Sequence, residues 1–150
     1  MKEAVYEPPN RKSKIIVVGA GWWACEFHLP HILANPNAEL VGVSRIGSTE
    51  LQQIQKHFEI PFVSEDHTEL YALNPDGVIV ASPHVFHAEH AKYALEKGCH
   101  VLVEKPMATS KQDAEALCSI ARKTGKTLMT PYGLNHTHYM ESAADQVAMG

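Results

Sequence analysis

The sequence predicts an α/β fold, a doubly wound and mostly parallel six-stranded sheet with helices on both faces. Three observations predict it. Short unbroken apolar runs recur along the chain, and most are followed by a segment with helical spacing of its apolar residues. The first run ends on Gly19-Ala20-Gly21, a turn too costly in chain entropy to be accidental. Strands that alternate with helices pair in parallel and need cover on both sides.

The first strand is Ile15 to Val18, apolar without alternation, as suits a strand buried on both faces. Leu40 to Val43 is a second strand. A helix follows with Leu51, Ile54 and Phe58 on one side and Ser48 or Thr49 as its cap. Pro61-Phe62-Val63 is a brief third strand. The turn Asn74-Pro75-Asp76-Gly77 announces a fourth, Gly77 to Ala81. The next helix carries Ala88, Ala91 and Leu95 and stops at Gly98. His100 to Val103 is the fifth strand. Thr109-x-x-Gln112 reads as a capping box before Ala114, Leu117, Cys118 and Ala121, and Gly125 ends that helix. Thr127-Leu128-Met129 is the sixth strand. The segment from Tyr139 to Gly150 places Met140, Ala143, Ala144 and Val147 along one helical face.

Composition narrows the function. The 150 residues suffice for one domain with a core, and a net charge of −4 supplies no basic field for nucleic acid or an anionic membrane. No apolar run is long enough to span a bilayer. Three scattered cysteines, Cys25, Cys99 and Cys118, make no disulfide framework and point to a reducing, cytoplasmic setting. Residues 1–13 are polar, with Pro8 and Pro9 adjacent, and read as a flexible leader. Ten histidines raise the question of a metal, with His84, His87 and His90 at every third place and His28 close to His31. Neither a His-Glu-x-x-His nor a Cys-x-x-Cys accompanies them, so no metal site is expected.

Gly19-x-Gly21-x-x-Ala24 has the spacing of a dinucleotide-binding turn. Gly19 allows a tight exit from the strand. Gly21 lets a diphosphate approach the backbone without a Cβ in the way, and Ala24 lets the helix lie close on the sheet. The helix N-terminus offers N–H groups and partial positive charge. Ala20 lies in that seat, and Trp22 and Trp23 stand where they either flank the pyrophosphate, roof the site or serve as apolar cover at a domain junction. The end of the second strand chooses the ribose. An NAD site places a carboxylate there, whereas this chain has Ser44-Arg45 and no carboxylate before Glu50. Ser44 can donate to a 2′-phosphate and Arg45 can pair with it, which favours NADP, with NAD as the alternative. The missing acid also counts against a methyltransferase using S-adenosylmethionine.

Two further stretches lie at strand ends, Ala81-Ser82-Pro83-His84-Val85-Phe86-His87 and Val101-Leu102-Val103-Glu104-Lys105-Pro106. With the glycine turn and His28-Leu29-Pro30, they resemble the glucose–fructose oxidoreductase/inositol dehydrogenase family (Gfo/Idh/MocA) over residues 14 to 136. The resemblance implies a Rossmann-type NAD(P)-binding domain over 14–136. It implies that Lys105 is the active-site lysine, flanked by Glu104 and Pro106. It implies that Ala81, Ser82, Pro83 and His87 pass along the nicotinamide ribose. Asn135 falls near the family's Asn-Arg pair, but His136 follows it here. Residues 137–150 then begin the link to a substrate domain absent from this chain, which in the family completes the pocket and carries homo-oligomer contacts. The implied reaction is hydride transfer between nicotinamide and a sugar, polyol or related hydroxy compound. This chain alone would turn over little. A stand-alone, non-enzymatic NAD(P)-binding sensor is the alternative. Independently of the family, an ammonium held near a reacting oxygen stabilises developing charge, and a lysine there can move the hydroxyl proton. Glu104 is expected to orient or pair with Lys105, and the Lys105–Pro106 bond is a place where a cis peptide would fix the lysine's aim.

Overall fold

The computed structural model describes residues 11–133 and 137–149. Residues 1–10, 134–136 and 150 lie outside them, and with these most of the expected leader and the Asn135-His136 position. Among the described residues, the sheet holds six parallel strands in the order β3-β2-β1-β4-β5-β6. These are β1 (Ser13–Val18), β2 (Ala38–Ser44), β3 (Val63–Ser64), β4 (Gly77–Val80), β5 (His100–Val103) and β6 (Leu128–Met129). The chain winds outward from β1 to β3, returns to β4 beside β1, and winds outward again to β6. The direction therefore reverses between β1 and β4, which is where open sheets of this kind leave a crevice at the strand carboxyl ends.

The unbroken apolar strands serve two cores. Val17 and Val43 face one side with Ala20, Ala24, Leu29, Ile32 and Leu51. Ile16, Val18, Val78, Val80 and Val103 face the other with Leu70, Ala91, Leu95 and Leu117. The first core is closed by α1 (Leu29–Ala34) and α2 (Ser48–Phe58), the second by α3 (His87–Glu96) and α4 (Lys111–Thr124). Each fully buried Leu or Ile removes enough apolar surface to be worth about 1.5–3 kcal/mol.

Several boundaries differ from the expected ones for local reasons. Helix α4 is capped one residue later than Thr109, because Ser110 Oγ accepts from the Asp113 N–H at 3.1 Å and bonds Asp113 Oδ2 at 2.7 Å. Helix α2 starts from Gly47, at φ 106°, with no side-chain cap from Ser48 or Thr49. Strand β3 is only two residues long, although the Phe62 carbonyl already accepts from Val43 N. A 3-10 helix over His67–Leu73, capped by Asp66, seats the fully buried Leu70 and crosses the sheet to the second face. Its tighter spacing escapes a search for 3.6-residue periodicity. Helix α5 (His138–Met149) forms as expected from its pattern, and none of its described side chains is buried.

Two residues of the expected leader are held by the fold. Ser13 is already in β1, and Arg11 is anchored by a two-pronged pair to Asp76, with Nη1–Oδ2 at 2.6 Å and Nη2–Oδ1 at 2.7 Å. Asp76 Oδ2 also accepts from Lys14 N at 2.8 Å. The Arg11 hydrogen bond is the main reason the Asp76 carboxyl is held down to about 2. In the unfolded chain the same carboxyl titrates near 4, so acid loads the unfolded state first. The contribution of Asp76 is thus present above about pH 4 and is lost as pH falls toward 2. Urea midpoints taken down that range should fall less steeply for Asp76→Asn than for the native chain.

Candidate functional site

The glycine turn sits at the crevice. Gly19 and Ala20 N–H groups donate to the Ser44 carbonyl at 2.9 and 3.0 Å, so the end of β2 shapes the turn leaving β1. Gly19 has φ 93°, and a Cβ there would lie 2.4 Å from Ser82 Cα. The ends of β1 and β4 therefore approach as closely as a missing side chain allows. Gly21 is different. It has no left-handed φ, and a Cβ on it would meet nothing within 4 Å. The fold does not require that glycine, yet it lines the groove.

Residues 22–34 are helical, and the turns over Ala24–His28 widen to π geometry. No side chain caps the start of this segment. Ala24 is fully buried against the sheet, as its place in the glycine turn predicts. Trp22, Trp23 and Phe27 form an aromatic cluster on the outer side, with the Trp23 and Phe27 rings 4.1 Å apart. Trp22 is 70% exposed.

The groove measures about 640 Å³ and runs from Val18, Gly19 and Gly21 along Trp22 and Trp23. It is bounded by Ser44, Arg45 and Ile46 on one side and by Ala81, Ser82 and Pro83 on the other. Glu65, His67, His84, Phe86 and His90 complete it. Those five, Val18 and Ile46 are the lining residues that sequence reasoning missed. Glu65 and His67 come from the loop after β3, whose shortness hid where it lands. His90 faces inward from α3, where burial and then His67 push its imidazole down to about 4, leaving it neutral. Its Nδ1 is hydrogen-bonded to Ser82 Oγ at 2.9 Å.

Ser44 contributes chiefly its carbonyl, because its side chain is almost wholly buried. Arg45 lies back over the glycine turn. Its Nη1 donates to Ala20 O at 3.1 Å, while its Nε is buried with no protein partner. A guanidinium held in this way keeps donor capacity for an incoming anion. Glu65 Oε1 accepts from Gly47 N at 2.6 Å, so a carboxylate does reach this end of the groove, held by the loop after Arg45.

Glu104 is buried and has a different partner from the one expected. Its Oε1 accepts from Trp23 Nε1 at 2.8 Å and lies 2.8 Å from His28 Nε2. Its Oε2 accepts from the main-chain N–H of Lys105 at 3.1 Å. The carboxylate therefore fixes the lysine through the backbone and not through its ammonium. Lys105 itself is exposed, with Nζ 5.8 Å from the centre of the Trp23 ring. The Lys105–Pro106 peptide is cis. His87 turns away from the groove. It is 1% exposed, and both of its ring nitrogens face main-chain carbonyls, of Ser82 and of Pro106. Among the described residues, no group of three or more His, Cys, Asp or Glu is arranged to hold a metal ion. None of their helices is long and apolar enough to cross a membrane.

A doubly wound parallel sheet, with a glycine turn at its switch point and an opening above Gly21, defines a dinucleotide-binding α/β domain. The family described as "Oxidoreductase family, NAD-binding Rossmann fold" (Gfo/Idh/MocA) matches residues 13–132, and the chain belongs to it. It is 35% identical over 143 residues to the D-glucoside 3-dehydrogenase of Escherichia coli (strain K12), covering 95% of this chain and 39% of that protein. It is 35% identical over 127 residues to the glucose-6-phosphate 3-dehydrogenase of Bacillus subtilis (strain 168), covering 85% of this chain and 35% of that protein. The crystal structure of KijD10, a 3-ketoreductase from Actinomadura kijaniata in complex with NADP, superposes with a TM-score of 0.84 at 29% identity. That match covers 93% of this chain and 45% of the other. The chain thus spans less than half the length of these relatives.

The two glycines make a paired prediction. Gly19→Ala adds a clash with backbone to an unfavourable φ, and should cost about 3 kcal/mol or more in urea unfolding. Gly21→Ala should unfold within about 1 kcal/mol of the native chain, since nothing in the fold meets the new methyl. Calorimetry should nevertheless show its affinity for the pyridine dinucleotide reduced at least about tenfold, a loss of about 1.4 kcal/mol.

Proposed function

We propose that this chain seats NADP in preference to NAD, and that the protein to which it belongs oxidises or reduces a hydroxyl carbon of a sugar. The observation that carries the reading is the space over Gly21. It is open to a ligand, unneeded by the fold, and flanked by the uncapped start of a helix. Backbone N–H groups at such a place suit a diphosphate. Arg45, with its unpartnered Nε, stands where the second strand delivers the ribose, and its fork suits a 2′-phosphate. Ile46 and Phe86, both exposed and apolar, offer flat cover for a base at that end. The other end of the groove runs to Trp23, and Trp23 carries Lys105 on its ring.

Bound nicotinamide supplies the hydride donor or acceptor. The chain's own residues supply position and proton control. Glu104 pins the Lys105 backbone, so the ammonium projects from a fixed point beside Trp23. There it donates to the substrate oxygen when negative charge develops, and takes up or releases the hydroxyl proton at Nζ. The sugar assignment draws on the relatives, which are a glucoside 3-dehydrogenase and a sugar-phosphate 3-dehydrogenase.

Two substitutions separate the parts. Arg45→Ala removes charge-assisted bonds worth about 1.5–3 kcal/mol, so NADP affinity should fall by roughly 10- to 150-fold while NAD affinity changes little. An unchanged ratio of the two dissociation constants would remove the 2′-phosphate argument. In the complete oxidoreductase, Lys105→Ala should lower kcat by about 10²–10⁴ with dinucleotide affinity retained, measured by single-turnover kinetics.

A further inference from the structure

His87 opens α3 from inside the fold, and its two ring nitrogens have the same kind of neighbour. Nδ1 lies 2.7 Å from the carbonyl oxygen of Pro106, and Nε2 lies 2.7 Å from that of Ser82. A carbonyl oxygen only accepts. A neutral imidazole has one N–H, so at one of these contacts a nitrogen lone pair would face an oxygen lone pair. The ring is 1% exposed, which leaves water no room to relieve that contact. A ring carrying both hydrogens satisfies both carbonyls with charge-assisted bonds.

We propose that His87 is a positioning residue that donates from both ring nitrogens, clamping the Ser82–Pro83 turn to Pro106 and so fixing the base of Lys105. The role rests on the proposed part played by Lys105, although the clamp itself does not. The two segments it joins come from different strands, β4 and β5, and form adjacent walls of the site. Among the described residues, His87 is the side chain whose hydrogen bond ties Pro106 to the β4 turn. The titratable neighbours on its own side are the neutral His90 of α3 and, in the turn before α3, His84, whose ring centre is 5.3 Å away. From the other side come Glu104 and Lys105, the two residues before Pro106. Glu89 is exposed, and Glu104 is taken up by Trp23, His28 and the Lys105 N–H, so the two carbonyls are the groups that meet the ring hydrogens. Ser82 is bound twice on this side of the sheet, its carbonyl by His87 and its hydroxyl by His90.

The test is nuclear magnetic resonance on the isotope-labelled native chain in neutral buffer without ligand, with the His87 ring assigned through its bonds. Two N–H protons on that ring, both slow to exchange, are expected. One N–H and one bare nitrogen would overturn the proposal. A second measurement addresses position. The side-chain protons of Lys105 should carry a ring-current shift from Trp23, and His87→Gln should remove at least half of it. Lys105 shifts unmoved in that variant would show that the clamp does not position the lysine. Neither arm uses a dinucleotide, so loss of the NADP reading through Arg45→Ala would leave this result standing, and the converse holds.

Discussion

The close passage of Gly19 against Ser82 is the constraint from which the site follows. Two parallel strands, β1 and β4, end side by side, and the chain leaving β1 must turn at once to reach the helix beneath. A side chain at Gly19 would occupy the position of the Ser82 backbone. With none there, the turn lies flat on the β4 end, and its N–H groups reach the Ser44 carbonyl on the opposite neighbour. The turn is thereby held by both adjacent strands. Gly21, two residues on, is left facing open space. The two glycines therefore differ, one required by the packing of strand ends and the other open above its backbone.

Glu104 organises the other wall in a comparable way. A buried carboxylate is costly unless several donors meet it. Here an indole N–H, an imidazole and a backbone N–H do so, and they come from the helix after β1 and from the loop after β5. One carboxylate thus sets the aromatic cluster and the lysine in a fixed relation. Its oxygens are engaged in positioning, whereas the Lys105 side chain is exposed beside Trp23.

Much of this was legible before any coordinates. Alternation of apolar runs with helical patterns is a property of the chain itself, and every expected strand is present. The glycine turn is legible because only glycine tolerates the Gly19 geometry. What could not be read came from long-range meetings. The sequence expects Glu104 to orient or pair with Lys105; it meets the Lys105 main-chain N–H, while its side-chain partners lie 76 and 81 residues away in sequence. His87 was assigned to the cofactor. A histidine one turn after a strand end can face either way, and the Pro106 carbonyl, 19 residues on, turns it inward. Glu65 and His67 were missed because a two-residue strand leaves almost no pattern, although it delivers its loop to the groove.

The widened helical turn after the glycines fits the same logic. In an α-helix, residues five apart do not share a face, so Trp22 and Phe27 would diverge. Over the π stretch they come within 6.1 Å, edge to face, while Trp23 and Phe27 stay in contact at 4.1 Å. Three large rings then stand together on the outer side while Ala24 and Leu29 remain wholly buried on the inner one. A regular helix could keep the small buried face or gather the aromatic side, but not both with this spacing. The π turn, a form often found at functional sites, reconciles close packing on the sheet with an aromatic wall that carries the lysine.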